Sequence, residues 1–305
     1  MGLPKSVEDF RGLVGTSQSA LALLGSLGTK MPGSCIRCGS SKTYLLRKRS
    51  LVRCRDCGLE SSMTSGTPLH GTHLSLSQWL LALFLASRVP GPVTPKILVN
   101  EGVVDRYSTA WMIVRQIHAI MKGSENGLLS GRVSATIART MLGRTSPDGY
   151  IEGQDEGVVL AGATTRWLSE TQDEDKPKVT EVKRLRMAVV PSRGPMQMRG
   201  FLQHVVEAGS TVMLPKRLEP AAHDGCRYLT SAKQADELPA LFLMDIREEI
   251  VEAIEWIEAA KPKINLKRLD EYLDEYVFHF NNGFDQNAAF PKLVAAAFKQ
   301  KPSTE

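Results

Sequence analysis

Apolar positions recur along this chain at intervals that predict its elements. Ser75-Leu-Ser-Gln78 has the form of a capping box, and Leu76, Trp79, Leu80, Leu83 and Phe84 follow at i, i+3, i+4, i+7 and i+8. That spacing predicts an amphipathic helix with one buried stripe, stopped at Pro90-Gly-Pro92. Thr94-Pro95, a cap followed by proline at the first helical position, predicts a short helix ending at Gly102. Asp105 opens a longer helix in which Ala110, Val114, Ile117 and Met121 share a face. A short helix, a turn with glycine and a longer helix make a helix-turn-helix, and equally a plain helical hairpin packed on a core. In the first reading Arg106, Tyr107, Ser108, Thr109, Arg115 and Gln116 are candidates for phosphate or base-edge contacts.

Elsewhere the same periodicity predicts a helix capped by Ser6 and one over residues 195–208 with Phe201, Leu202, Val205 and Val206 on one side. A helix from Asp245 carries Ile246, Ile250, Ile254 and Ile257 as its stripe, while Glu248, Glu249, Glu252, Glu255 and Glu258 wind around it as a solvated face. A last stripe runs from Leu269 through Tyr272, Leu273, Tyr276 and Val277 to Phe280, closed by Asn281-Asn-Gly283. Residues 61–73 are polar and turn-rich, residues 167–182 read as a loop or hairpin connection, and there is no internal repeat. The longest apolar stretch, Trp79 to Ala86, is far below spanning length, and Glu8 and Asp9 sit where a signal peptide would be positive. The expectation is a cytoplasmic protein with no membrane partner.

The chemistry concentrates at residues 35–58. Cys35 and Cys38 form one Cys-x-x-Cys pair and Cys54 and Cys57 another, with fifteen residues between them. Two tight turns joined by a short hairpin, Thr43–Leu46 and Leu51–Val52, would complete a tetrahedron of thiolates around one structural Zn²⁺, a zinc ribbon. Gly39 and Gly58 follow the second cysteine of each pair, where a chain reversal calls for positive φ. A pair of disulfides is the alternative, and Cys226 stands apart. Arg37, Lys42, Arg47, Lys48, Arg49, Arg53 and Arg55 lie in or beside the hairpin against Asp56. Part of this excess offsets the −2 of a zinc tetrathiolate, and the rest could face phosphates or water. Residues 1–122 hold 15 Lys/Arg and 6 Asp/Glu, a net +9, which leaves −4 for the remainder of a chain whose total is +5. The front half suits a polyanion such as double-stranded DNA; the acidic back half suits a protein partner or a second copy.

The ribbon, followed by Ser65-Gly-Thr-Pro-Leu-His70, the Leu76…Trp79 helix and Tyr107-Ser-Thr-Ala-Trp111, resembles the front of zinc-ribbon-headed bacterial insertion-sequence transposases of the DDE type. Tyr150-Ile-Glu-Gly-Gln-Asp-Glu-Gly157, Arg184–Pro191, Gly209-Ser-Thr-Val212, Leu238-Pro-Ala-Leu241 and Leu269-Asp-Glu-Tyr-Leu-Asp-Glu-Tyr276 with Phe278-His-Phe-Asn281 continue the likeness over residues 31–297. The resemblance implies an α+β multidomain fold. An N-terminal helix would occupy 1–30, a zinc ribbon 31–66, a helical, helix-turn-helix-like DNA-binding module 67–124, and an RNase-H-like α/β core with C-terminal helices 125–305.

It also implies carboxylates holding two Mg²⁺ for in-line attack on phosphodiesters. Here the chain departs from its apparent relatives. The first Asp position reads Pro147, the second Pro215, and Phe242 stands where the third-motif helix of the family begins with His. Four readings follow: a transposase-derived DNA-binding protein without strand transfer; an active transposase using Asp148, Asp224 and Glu248, with Glu219 and Glu249 nearby; a protein-interaction scaffold built on the ribbon; and a folded remnant without function. The first expects DNA contacts from Arg47, Lys48, Arg49, Arg53, Arg55, Arg106, Ser108, Thr109 and Arg115.

Overall fold

The computed structural model describes residues 3–29, 34–46, 51–88, 90–145, 151–167, 180–191, 194–215, 218–219, 225–230, 245–260 and 268–299. In chain order the elements are α1 (Val7–Leu13), α2 (Ser17–Ser26), β1 (Thr43–Leu46), β2 (Leu51–Cys54), β3 (Glu60–Ser62), α3 (Leu76–Ala86), α4 (Pro95–Asn100) and α5 (Tyr107–Ser124). There follow β4 (Arg132–Thr145), β5 (Ile151–Trp167), β6 (Thr180–Val190), α6 (Pro195–Val205), β7 (Thr211–Leu214), β8 (Arg227–Thr230), α7 (Asp245–Ala260), α8 (Leu269–Asn281) and α9 (Gln286–Ala297). The chain is thus a mixed α/β protein. It divides into two compact units, residues 1–124 with 284–305, and residues 125–283. Among the described residues no helix is long and apolar enough to cross a membrane.

In the first unit, local caps decide where helices begin. The Ser6 hydroxyl accepts from the Asp9 N–H at 3.0 Å, and Ser75 with Gln78 closes a reciprocal capping box. A second such box, Thr16 with Ser19, starts α2, so the single helix expected over residues 1–30 is two. Thr94 caps α4, and Gly102, at φ +57°, turns the chain out of it. Then α5 begins at Tyr107, two residues past the Asp105 expected to open it. The one-stripe expectation fails for α3, where every residue from Trp79 to Ala86 is buried. Helices α1, α2, α5 and α9 surround it. The Phe10 and Phe84 rings stack at 3.9 Å, and Phe290 of α9 meets them edge-on at 5.4 and 5.7 Å. Residues 284–305 therefore belong with the first unit, although the sequence reading joined them to the core.

The second unit is built on a five-stranded sheet in the order β6-β5-β4-β7-β8. Strands β4, β5 and β6 form an antiparallel meander; β7 adds parallel to β4, and β8 parallel to β7. The sequence reading did not separate β4 as a strand, and residues 151–157 of the Tyr150 stretch open β5. One face packs Val133, Ala135, Ile137, Val212 and Leu214 against Met198, Phe201 and Leu202 of α6. Gly162 permits that approach: a Cβ there would lie 3.2 Å from the Phe201 ring. The other face packs Val159, Ala161, Ala163 and Leu185 against the isoleucine stripe of α7 and the leucine and tyrosine stripe of α8. Glu248, Glu252 and Glu255 lie on the exposed side of α7.

Strand β6 is the edge of this sheet, and its outward backbone groups need partners. Helix α8 supplies them. The Asn281 side chain accepts from the Leu185 N–H at 2.7 Å and donates to the Leu185 carbonyl at 3.1 Å, and Asp270 accepts from the Val189 N–H at 3.1 Å. Asn281 also donates to Glu125 at 2.9 Å, a buried carboxylate that takes Arg186 at 3.3 Å and lies 3.7 Å from Arg184. The first residue of the unit is thereby tied to the end of its last helix. Replacing Asn281 with Ala leaves two edge groups and part of Glu125 unsatisfied, each costing about 1–3 kcal/mol before relaxation. We expect a net loss of about 1–3 kcal/mol, read as a thermal midpoint about 2–4 °C lower per kcal/mol for a unit of this size. Asn281→Asp, which sets a second negative charge beside Glu125, should be the more damaging change.

Candidate metal centre and nucleic-acid interface

The four ribbon cysteines converge because two short chain reversals are built alike. In the first, the Gly39 N–H donates to the Cys35 carbonyl at 2.9 Å and the Cys35 N–H to the Ser40 carbonyl at 2.8 Å. In the second, the Gly58 N–H donates to the Cys54 carbonyl at 3.1 Å and the Cys54 N–H to the Leu59 carbonyl at 2.9 Å. Gly39 and Gly58 take φ of +71° and +70°, the left-handed conformation that the reversal requires and a side chain would strain. The antiparallel pairing of β1 and β2, Thr43 with Cys54 through Leu46 with Leu51, then brings the reversals together. The sulfurs of Cys35, Cys38, Cys54 and Cys57 all lie within 4.8 Å of one another, with Cys35 to Cys57 at 3.5 Å and Cys38 to Cys54 at 3.6 Å. These four residues could hold one metal ion.

Backbone N–H groups prepare the cluster for negative charge. The amide of Cys38, then that of Arg37, lowers the Cys35 thiol to about 6, and the Cys57 amide lowers Cys54. Cys38 goes the other way, to about 12: the Ser40 amide favours its thiolate, but the Cys57 thiol and burial outweigh it.

A third strand, β3, pairs with β2 from Leu51 opposite Ser62 to Arg53 opposite Glu60, and so runs into the stretch expected to be polar and turn-rich from residue 61. That pairing engages a candidate DNA contact, since Arg53 lies 3.8 Å from Glu60. Lys42 lies 3.6 Å from Asp56, which also accepts from Ser40 at 2.6 Å. The Arg55 guanidinium sits over the Tyr44 ring at 5.4 Å. Part of the ribbon's basic surplus is thus paired within the ribbon, while Arg47, Lys48 and Arg49 at the hairpin tip lie outside the described residues.

On α5 the buried residues Ala110, Ile113, Val114, Ile117, His118, Ile120 and Met121 fix the rotation of the helix. Arg106, Tyr107, Ser108 and Arg115 are exposed and Thr109 half-buried. Gln116 is engaged elsewhere, its amide donating to the Pro68 carbonyl, which removes it from the base-reading candidates. The 18 residues of α5 include no Asp or Glu. By composition the first unit holds 18 Lys/Arg against 8 Asp/Glu, a net +10, and the second 20 against 25, a net −5.

Of the core positions, Pro147, Asp148, Asp224 and Phe242 lie outside the described residues. Glu248 is exposed on α7, Glu219 is half-buried, and Glu249 packs beside Tyr276, whose hydroxyl is pushed above its ordinary range by burial and then by Glu249 and Glu252. Pro215 follows β7 directly. The parallel register pairs Arg132 with Thr211, Val133 with Val212 and Ser134 with Met213, two residues before Pro215. Strand β4 continues well past Ser134, to Thr145. Ser134 and Thr136 are 1% exposed, lie on the α7 face of the strand, and their hydroxyls have no hydrogen-bond partner among the described residues.

No protein-family model, curated protein or solved structure matches this chain.

The metal reading makes a quantitative prediction. The purified protein should carry one equivalent of divalent metal, released by a strong chelator and reported by a colorimetric metal indicator. Cys35→Ser and Cys57→Ser should each retain less than a tenth of it, while Cys226→Ser, outside the cluster, should retain all of it.

Proposed function

We propose that this chain is a transposase-derived, zinc-dependent DNA-binding protein without strand-transfer activity. The observation that carries the reading is the pairing, within one positively charged unit, of a four-thiol cluster that shapes a basic hairpin with an acid-free helix that exposes one face. Tetrahedral zinc with Zn–S bonds of about 2.3 Å sets its sulfurs about 3.8 Å apart. The sulfur distances of 3.5 and 3.6 Å, and the limit of 4.8 Å on all others, fit that ion. Zinc then does for the ribbon what a large apolar core does elsewhere, since the ribbon is too short to build one. The helical part offers α4, a turn at Gly102 and α5 in the order a helix-turn-helix has, and in this reading α5 is the helix presented to the major groove.

The core supports descent from a transposase and argues against retained chemistry. A three-strand antiparallel meander extended by two parallel strands, with helices on both faces, suits the RNase-H-like reading. Two-metal catalysis needs carboxylates converging on ions about 4 Å apart. Neither the β4–β7 pairs, which end with Ser134 opposite Met213, nor Pro215 just past β7 supplies a hard anionic ligand. Glu248, the one member of the alternative trio among the described residues, points to solvent from α7.

Capture of sheared genomic DNA by the zinc-loaded protein at about 150 mM salt, where non-specific phosphate binding is weak, tests the reading. One enriched motif, lost on zinc removal, is the expected result, and Arg115→Ala should lower the salt slope of binding by about one. Supercoiled DNA bearing the motif should remain intact with Mg²⁺ or Mn²⁺. Metal-dependent nicking would restore the active-transposase reading, and no enriched DNA would favour a scaffold that binds protein through the ribbon.

A further inference from the structure

The outward row of α5 carries an apolar side chain among polar and small ones. Its buried stripe turns Ser108, Met112, Arg115 and Ala119 to the opposite side at intervals of four, three and four residues, one continuous line along the helix. Met112 is 70% exposed, and Tyr107 at the edge of the same face is 55% exposed. A single exposed apolar residue is ordinary. This one stands between a hydroxyl and a guanidinium, on a helix with no acid, in a unit of net charge +10.

Resting on the DNA-binding reading above, we propose that Met112 reads thymine. A helix enters only the major groove, which is wide enough for it. Along the floor of that groove the base edges present hydrogen-bond donors and acceptors, and the C5-methyl group of thymine is the one apolar group that projects from it. A methionine thioether set against a donor or acceptor would strip water from a polar group and return no hydrogen bond, and against the bare C5–H of cytosine it would bury less apolar surface. Against the methyl it buries apolar surface, and its unbranched chain adapts to the local geometry. Arg115 lies three residues on, about 4.5 Å along the helix axis and close to one base-pair step, where its guanidinium can take a guanine edge or the adjoining phosphate. Ser108, about 6 Å the other way, lies toward the helix start.

The test uses the full-length, zinc-loaded protein and a duplex selected with it from a random-sequence library. Each thymine of the selected site is replaced in turn by deoxyuridine, which removes the methyl and nothing else. The expected result is one position at which binding weakens about four-fold, the value of one buried methyl. Met112→Ala protein should bind the thymine and deoxyuridine duplexes equally well, while Arg115→Ala retains the difference and binds both more weakly. Met112 is exposed, so its replacement leaves the fold intact. A selected duplex with no methyl-sensitive position, or a sensitivity that persists in Met112→Ala, overturns the assignment and leaves DNA binding standing. Failure to select any duplex overturns both.

Discussion

The second unit depends on satisfying the open edge of its sheet. Strand β6 ends the hydrogen-bonded ladder, and an unpaired edge either recruits another strand or costs stability. Here two side chains of one helix meet it four residues apart, Asn281 at Leu185 and Asp270 at Val189. Because both lie on α8, the helix has little freedom to slide or turn. The leucine and tyrosine stripe of α8 and the isoleucine stripe of α7 are then set over Val159, Ala161, Ala163 and Leu185. The same asparagine holds Glu125, so the sheet edge, the closing helix and the opening residue of the unit form one connected polar group beside an apolar core.

The first unit solves a different problem. Its three-stranded ribbon is too short to bury much apolar surface, and its shape rests on two similar chain reversals that deliver four sulfurs to one point. Among the described residues, Lys42 and Arg53 lie beside Asp56 and Glu60, and Arg55 lies over the ring of Tyr44, so part of the ribbon's basic surplus is engaged within the ribbon itself. On the core side, the sheet is packed on both faces, by α6 on one and by α7 and α8 on the other.

Local signals were legible in the sequence and distant ones were not. Ser6, Ser75 and Thr94 mark helix starts because a cap needs only the next three residues, and the Cys-x-x-Cys-Gly repeats announce their reversals for the same reason. The stripe of α3 was visible, but residues Leu81, Ala82 and Leu85 on its other side are buried only because four helices surround it. Strand β3 was missed because Glu60, Ser61 and Ser62 are polar, and their pairing is dictated by β2. The parallel pairing of β7 with β4 could not be read either. It joins strands more than seventy residues apart, and sequence spacing carries no trace of it. Asp270 and Asn281 were conspicuous as parts of two motifs, yet only the structure gives them work to do.

The placement of Phe290 between Phe10 and Phe84 bears on how the protein is made. The first unit is interrupted by the whole of the second, residues 125–283, before α9 returns to it. At about 5–20 residues per second, a ribosome needs roughly ten to thirty seconds to pass from the end of α5 to the end of α9. During that interval the apolar side of α3 that Phe290 will cover has no partner. The second unit, continuous in sequence, is complete only at residue 283, about one to three seconds of synthesis before the end of α9. The two units are thus finished almost together, and the first-made one waits longer in an unfinished state.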